Sequence, residues 1–351
     1  MSQPVRVVLL SKVRMNPYVQ LLRQGLTQAD PHLTVSIEPY FSLPWFLRKR
    51  GQVDLLHLHW LELLYDYADL GLRLKRAFSV LAGLLVARLS GVRLVYTVHN
   101  LGQHEDRHAR LNALANRLVF RLADAVHVHD QMAAWEVARL YGRRQGVYIA
   151  PHGHYATWYP NVVSRAEARR RLDIPENAFV YLSLGLIRPY KGLETLLDSF
   201  AAVPDTSARL IVTGHGAEPD YLDQLKRQAQ RDDRVLLRPG YVPDDDVQVN
   251  CNAADTFVLP YHRATTSGAA LLAFSFGIPI VAPDRPPFRA LLAHGRGVAY
   301  NPELSESLGQ ALLRARDIDM ESARRAVRAY TQELDWPSVA AIHAGTYRRL
   351  L

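Results

Sequence analysis

The 351-residue sequence contains one cysteine, Cys251. An internal disulfide is therefore excluded, as is a thiolate metal cluster, and a reducing compartment is expected. Long apolar runs are also missing. The longest, around Ser79 to Leu89, is too short for a bilayer and carries Arg88. There is no basic tail, zinc-finger spacing or RNA-binding aromatic signature, which argues against nucleic acid as a partner. No acidic cluster resembles a magnesium site. The densest run, Asp244-Asp245-Asp246, opens a predicted helix, where carboxylates favour the positive dipole end. Because Val5 to Leu10 already reads as a strand, a signal peptide has no room, and a cytoplasmic location is expected.

The rest of the composition is that of a folded chain, 48% apolar and 22% charged, long enough for two domains. Lys and Arg number 42 against 34 Asp and Glu, a formal charge of +8 beside 14 histidines. Such a surplus suits an anionic partner: nucleic acid, an anionic membrane face or a phosphorylated small molecule.

Strand and helix patterns alternate throughout. In the first half, strands are expected at 5–10, 33–37, 53–58, 92–98, 125–128 and 146–150. Helices are expected from Pro17, with Asn16 as N-cap, and over 70–89, 110–122 and 131–141. The stretch Trp45-Phe46-Leu47-Arg48-Lys49-Arg50 reads as a core aromatic group followed by a solvated basic turn, or as a membrane-surface contact. The leucine-rich helix at 70–89 carries Arg73, Lys75, Arg76 and Arg88. It suits either a core helix or one lying against an anionic leaflet. The basic segment Ser164 to Arg171 and the Pro175 turn read as the join between domains. Beyond it, strands are expected at 179–184, 210–213, 235–237, 256–259 and 280–281, with helices starting near Leu193, Glu218, Asp244, Ser267 and Pro287. The expected class is α/β, two doubly wound, Rossmann-like domains in tandem. Ligands then belong at the carboxyl ends of the strands, in a cleft between facing domains.

Several polar groups fall at those strand ends. Asn16 lies in the loop after the first strand. His59, Trp60 and Glu62 follow the third, His99 and Asn100 the fourth (with His104 and Glu105 in the loop beyond), and His152 and His154 the sixth. A lone histidine after a strand is usually structural, but a series at one sheet edge suggests function. The pair His57-x-His59 has zinc-ligand chemistry but no third ligand nearby in sequence, so buried structural histidines are expected.

In the second half, Phe179 to Leu184 is an apolar strand followed by Gly185, then Arg188-x-x-Lys191-Gly192, then a helical pattern from Leu193. This is either a diphosphate grip, with a planar guanidinium fork and a compact ammonium, or a solvated basic loop. Gly214-His215 and Tyr261 follow later strands. Thr266-Ser267-Gly268 precedes the apolar run 269–274, a helix N-cap whose outward N–H groups can hold phosphate or merely cap the helix.

Taken together, HLHWLE (57–62), TVHN (97–100), APHGHY (150–155), GLIRPYKG (185–192), VTGHG (212–216), TSGAALLAFSFGIPIVAP (266–283) and the helix from Trp336 to Tyr347 resemble GT-B fold glycosyltransferases of the family 4 (group 1) kind. The resemblance spans nearly the whole chain. It implies an N-terminal acceptor domain at 1–163, completed by a crossover helix at 336–351, and a nucleotide-sugar donor domain at 164–335. Arg188 and Lys191 would bind the donor diphosphate and stabilise it as it leaves, with Gly214, His215, Tyr261, Thr266, Ser267 and Gly268 as further donor contacts. His99 would face the donor sugar, and Asn16, His59, Trp60, Asn100, His152 and His154 would line the acceptor side or cleft. No bound metal or other cofactor is implied, because cations and a helix end neutralise the leaving group.

One departure stands out. Family 4 enzymes carry two glutamates eight positions apart, and alignment on Gly277 puts Ala264 and Leu272 there. The TSG variant resembles exopolysaccharide sugar transferases, including inverting β-mannosyltransferases of the xanthan type. Inversion needs a base, for which Glu62, His99, His104 and Glu105 are candidates. The expected activity is transfer of a hexose from a UDP- or GDP-sugar to a lipid-linked or polysaccharide acceptor, at the inner face of the cytoplasmic membrane. Alternatives are a phosphorylase or sugar-phosphate synthase of the same fold, or a non-catalytic nucleotide-sugar-binding partner.

Overall fold

Short runs rich in Val, Leu and Ile, separated by glycine and proline turns, pair here as parallel strands, the inner ones buried on both faces. The computed structural model describes residues 4–13, 16–99, 108–216, 218–262, 267–286 and 288–351. The chain forms two units, Met1–Gly153 with Leu334–Leu351, and His154–Glu333.

The first unit holds β1 (Val5–Leu10), β2 (Leu33–Glu38), β3 (Leu55–His59), β4 (Arg93–Thr97), β5 (Ala125–Val128) and β6 (Val147–Ile149), in the order β2-β1-β3-β4-β5-β6. Its helices are α1 (Tyr18–Ala29), α2 (Leu43–Lys49), α3 (Leu70–Leu89), α4 (Ala109–Leu122) and α5 (Gln131–Tyr141). In the second unit the helices are α6 (Arg165–Arg171), α7 (Leu193–Ala201), α8 (Pro219–Ala229), α9 (Asp244–Ala253), α10 (Gly268–Ser275), α11 (Phe288–Leu292), α12 (Ser307–Asp317) and α13 (Met320–Glu333). Its strands are β7 (Val180–Leu184), β8 (Arg209–Gly214), β9 (Val235–Pro239), β10 (Thr256–Val258), β11 (Ile280–Pro283) and β12 (Gly297–Tyr300), ordered β12-β11-β10-β7-β8-β9. The last helix, α14 (Trp336–Leu350), returns to the first unit.

Three local expectations change. Trp45 to Lys49 is part of a helix, not a turn: the Ser42 hydroxyl caps it by accepting from Trp45 N–H, and Pro44 fits its first turn. The segment Ser164 to Arg171 is no linker, because α6 is anchored by Arg169, which is 1% exposed and bonds Asp255 at 2.9 Å. Its low apolar content hides a buried cation. The helix at Asn16–Pro17 starts one residue later than expected, with Pro17 as the cap residue and Asn16 Oδ1 accepting from Tyr18 N–H at 2.9 Å.

The two faces of the first sheet differ chemically. One packs Leu56, Leu58, Tyr96, Val126 and Val128 into an aliphatic core. Alternate residues point the other way, as the period of a strand requires, and there the chain places His57, His59, Thr97 and His127. Thr346 and Tyr347 of α14 bond two of these histidines. α14 also packs tightly on α1: a Cβ on Gly25 would lie 2.8 Å from Ala340 Cβ.

Candidate functional site

In the first unit, β3 runs through His59 into Trp60, whose φ of 47° is left-handed. Non-glycine residues rarely hold that conformation, which concentrates at functional sites. Here it lays the indole flat on His99, with centroids 3.7 Å apart and planes within 8°.

The histidines behind Trp60 form a chain whose tautomers follow from one carbonyl. His129 Nδ1 lies 3.1 Å from the Ala150 oxygen, which can only accept, so Nδ1 carries the proton. His129 Nε2 therefore accepts from His99 Nδ1 at 3.2 Å, and His99 Nε2 accepts from His59 Nδ1 at 3.0 Å. Burial holds His59 and His99 well below the ordinary imidazole value and lowers His129, which keeps the rings neutral. Both nitrogens of His99 are thus engaged. Tyr18 packs edge-on against His99 and His152, 4.7 Å from each, and Trp336 lies 5.2 Å from Tyr18. His152 Nδ1 donates to the Gly153 carbonyl at 2.8 Å, and burial pushes its pKa down to about 3.

These depressed values give a sign for acid stability. Below the unfolded value of about 6.5, the unfolded chain binds protons that folded His99, His129 and His152 refuse, so stability falls as pH falls. Urea melts between pH 7 and 5 should lose up to roughly 1 kcal/mol per pH unit for each such histidine. His152→Gln should flatten the slope, and an unchanged slope would show that His152 titrates normally.

Glu62 lies half-buried in the short turn Leu61–Leu64. His154, in the second unit, accepts from Ala156 N–H at 3.2 Å through Nδ1. Asn100, His104, Glu105 and Thr266 lie outside the described residues.

In the second unit, β7 and β8 end almost in backbone contact. A Cβ on Gly214 would fall 1.7 Å from the Gly185 oxygen, and Gly214 has a φ of 141°, so only glycine fits. Ile187 N–H then bonds the His215 carbonyl at 2.8 Å, which sets the course of the Arg188–Lys191 loop. Arg188 Nη1 stands 3.3 Å from Glu218, with about a third of the side chain exposed.

Lys191 bonds the Tyr261 hydroxyl, and its Nζ sits 3.8 Å from that ring's centroid. Burial lowers the pKa of this ammonium, since little water remains around it. Burial also pushes the Tyr261 phenol up, partly countered by a hydrogen bond with Ser267. The Ser267 hydroxyl caps α10 by accepting from Ala270 N–H at 3.2 Å, and Gly268 begins that helix. His215 is exposed.

Strand order gives this cluster its meaning. The chain winds from β7 outward through β8 to β9, then crosses back to β10 on the other side of β7. Lys191 follows β7 and Tyr261 follows β10, so they meet at the carboxyl edge where the winding reverses. Doubly wound sheets bind their ligands at that point. A separate cavity of about 340 Å³ lies toward β8 and β9, lined by Arg171, Thr213, Arg238, Tyr241 and Asn250 among others.

Sequence reasoning brought Arg188, Lys191, Tyr261 and Ser267 to one sheet edge, and the structure groups Lys191, Tyr261 and Ser267 directly. It missed Tyr18, His127, His129, His343 and Trp336. A signal for two of these existed: His127-x-His129 repeats the spacing of His57-x-His59 on another strand.

Comparison with known proteins adds to this geometry. Residues 164–333 match the family described as glycosyl transferases group 1. Over 338 residues the chain is 30% identical to a GDP-mannose:glycolipid 4-beta-D-mannosyltransferase of Xanthomonas campestris pv. campestris, covering 96% of this chain and 89% of that protein. It is 27% identical over 267 residues to a D-inositol 3-phosphate glycosyltransferase of Streptosporangium roseum, covering 70% of this chain and 57% of the other. Among solved structures, Anabaena HepE in complex with UDP-glucose superposes with a TM-score of 0.77 at 17% identity, over 99% of this chain and 100% of that one. A sucrose-phosphate synthase from Thermosynechococcus elongatus gives 0.77 at 19% identity, over 99% of each chain. At such identities the solved structures speak to the fold alone.

Proposed function

This chain belongs to the group 1 glycosyl transferases, and we propose that it moves a mannosyl group from GDP-mannose to a hydroxyl of a lipid-linked saccharide. Its two doubly wound sheets are those of the GT-B fold. The observation that carries the reading is the meeting of Lys191 and Tyr261 at the switch point between β7 and β10.

In the transfer, the bond from the anomeric carbon to the diphosphate oxygen breaks while the acceptor oxygen bonds that carbon. Negative charge accumulates on the departing diphosphate. Arg188 exchanges Glu218 for a phosphate oxygen, Lys191 supplies a poorly hydrated ammonium, and the N–H groups beginning α10 complete the cradle. These fixed charges take the part a divalent ion plays elsewhere. The 340 Å³ cavity beside Arg238 and Tyr241 has room for the nucleoside. Donor binding falls to the second unit and acceptor binding to the first. With His99 bonded through both nitrogens, Glu62, His104 and Glu105 stand as candidates for the base that an inverting transfer needs.

A thermal-shift panel of GDP, UDP and dTDP, with and without magnesium, tests the donor. Stabilisation by GDP at concentrations well above Kd, indifferent to magnesium, is the expected result. Stabilisation by UDP alone would replace the guanine nucleotide, and none by any nucleotide would remove the transferase reading.

The acceptor's lipid suggests a place for the protein at an anionic membrane surface. Among the described residues no helix is long and apolar enough to cross a membrane. The amphipathic α3, however, exposes Leu70, Leu74, Phe78 (74%), Leu85 and Leu89 (78%) at helical spacing along one stripe. Lys75 is exposed on the same helix, and α2, packed against it, adds exposed Leu47, Arg48 and Lys49. An apolar stripe with basic neighbours supports shallow interfacial binding. Vesicles containing phosphatidylglycerol should therefore sediment the protein, and high salt or Phe78→Ser with Leu89→Ser should release most of it. Equal sedimentation with neutral vesicles would contradict the electrostatic part.

A further inference from the structure

We propose that His57, His127 and His343 form a binding site for one transition-metal ion of the zinc kind, which pins α14 to β3 and β5. The three side chains come from separate elements of the first unit, and all have 0% exposure. One ring nitrogen from each lies within 4.8 Å of the others.

The hydrogen bonds around His127 and His343 leave lone pairs unengaged, whereas His57 exchanges one hydroxyl partner for the ion. Thr346 gives its own proton to the Ile342 carbonyl at 3.0 Å, so it accepts from His127 Nε2 at 3.0 Å. That fixes the proton of His127 on Nε2 and leaves Nδ1 as a bare lone pair, which has no hydrogen-bond partner among the described residues. His343 has no partner for either nitrogen among the described residues. His57 lies between two hydroxyls, with Nδ1 2.6 Å from Tyr347 and Nε2 2.7 Å from Thr97. Whichever nitrogen turns to the ion, the other keeps a hydroxyl partner, the arrangement that orients metal-bound histidines.

Buried nitrogens without partners are costly, and here they belong to two rings whose centroids lie 4.1 Å apart. A cation would satisfy His127 Nδ1 and one nitrogen of His343 together. Three neutral imidazoles with no carboxylate select zinc, cobalt, nickel or copper over magnesium or calcium. A water molecule can complete a four-coordinate shell. The ion would be a cross-link rather than part of the transfer reaction, since all three of its ligands are 0% exposed and out of a substrate's reach.

The test uses the full chain, stripped with EDTA, re-equilibrated with zinc chloride and passed through a desalting column. About one zinc per chain should remain by mass spectrometry. The thermal midpoint should rise with zinc. Cobalt in place of zinc should give the visible absorption of a four-coordinate nitrogen site. His343→Leu and His343→Gln should each retain less than about a tenth of the wild-type zinc, while the exposed control His294→Ala retains all of it. Circular dichroism shows whether the variants fold. The proposal is overturned if the wild type keeps no zinc and its midpoint does not move. It is equally overturned if a folded His127→Leu/His343→Leu protein keeps as much zinc as the wild type. The wild-type measurement decides even where the variants do not fold.

Discussion

Lys191→Ala is expected to reduce kcat by about 10²–10³-fold, or ~3–4 kcal/mol of transition-state stabilisation. The ammonium is already partly desolvated beside Tyr261, so removing it should cost the free protein little stability. Its value lies in charge that appears only as the diphosphate departs, so kcat should fall more than KM rises. Lys191→Arg is not a conservative change here, because a guanidinium stacked on the Tyr261 ring spreads over a plane the charge that the ammonium concentrates at one point. Steady-state kinetics with radiolabelled GDP-mannose, together with the GDP thermal shift, measures both effects. A variant with unchanged kcat would move the phosphate-neutralising role elsewhere in the loop.

Asp255→Ala should destabilise the second unit by about 3–5 kcal/mol, since it leaves a buried cation unpaired. Asp255 Oδ2 holds Arg169 at 2.9 Å and accepts from Val180 N–H at 2.9 Å, while its own N–H bonds the Val180 carbonyl at 2.8 Å. It also pairs with Arg165 at 2.5 Å. One carboxylate thus joins α6 to the starts of β7 and β10, the two strands whose far ends carry Lys191 and Tyr261. Urea denaturation should show a lower midpoint with unchanged slope. Asp255→Asn keeps an acceptor for Val180 and should cost less. A loss below about 1 kcal/mol would mean that the carbonyls Arg169 already bonds, such as that of Ala253 at 3.2 Å, suffice to hold it.

The sheets were legible in the sequence because parallel strands covered on both faces read as short apolar runs bounded by glycine and proline. Leu9, Leu56, Val95 and Ile211 need no partner information to be placed inside. β12 (Gly297–Tyr300) was missed because four residues opening on glycine carry too little pattern. α6 reads as a linker because a buried arginine looks like a solvated one until its carboxylate is found elsewhere in the chain. The candidate loop was visible because Gly185, Arg188, Lys191 and Gly192 lie within one short segment, whereas the switch-point meeting with Tyr261 depends on strand order. The histidine layer shows the same limit. His57 and His59 were visible as a pair, but their partners sit on β4, β5 and α14, and no local periodicity links residue 57 to residue 343.

The return of α14 to the first unit also orders events on the ribosome. His154–Glu333 is one unbroken segment and can fold as soon as it emerges, whereas the first unit waits for Leu334–Leu351, made after the whole of the second. Until then the face that carries His57 and His127 has no lid, and its polar rings are solvated rather than packed. A chain ending at Glu333 and released from the ribosome should therefore resist protease in its later half and be cut in its earlier one.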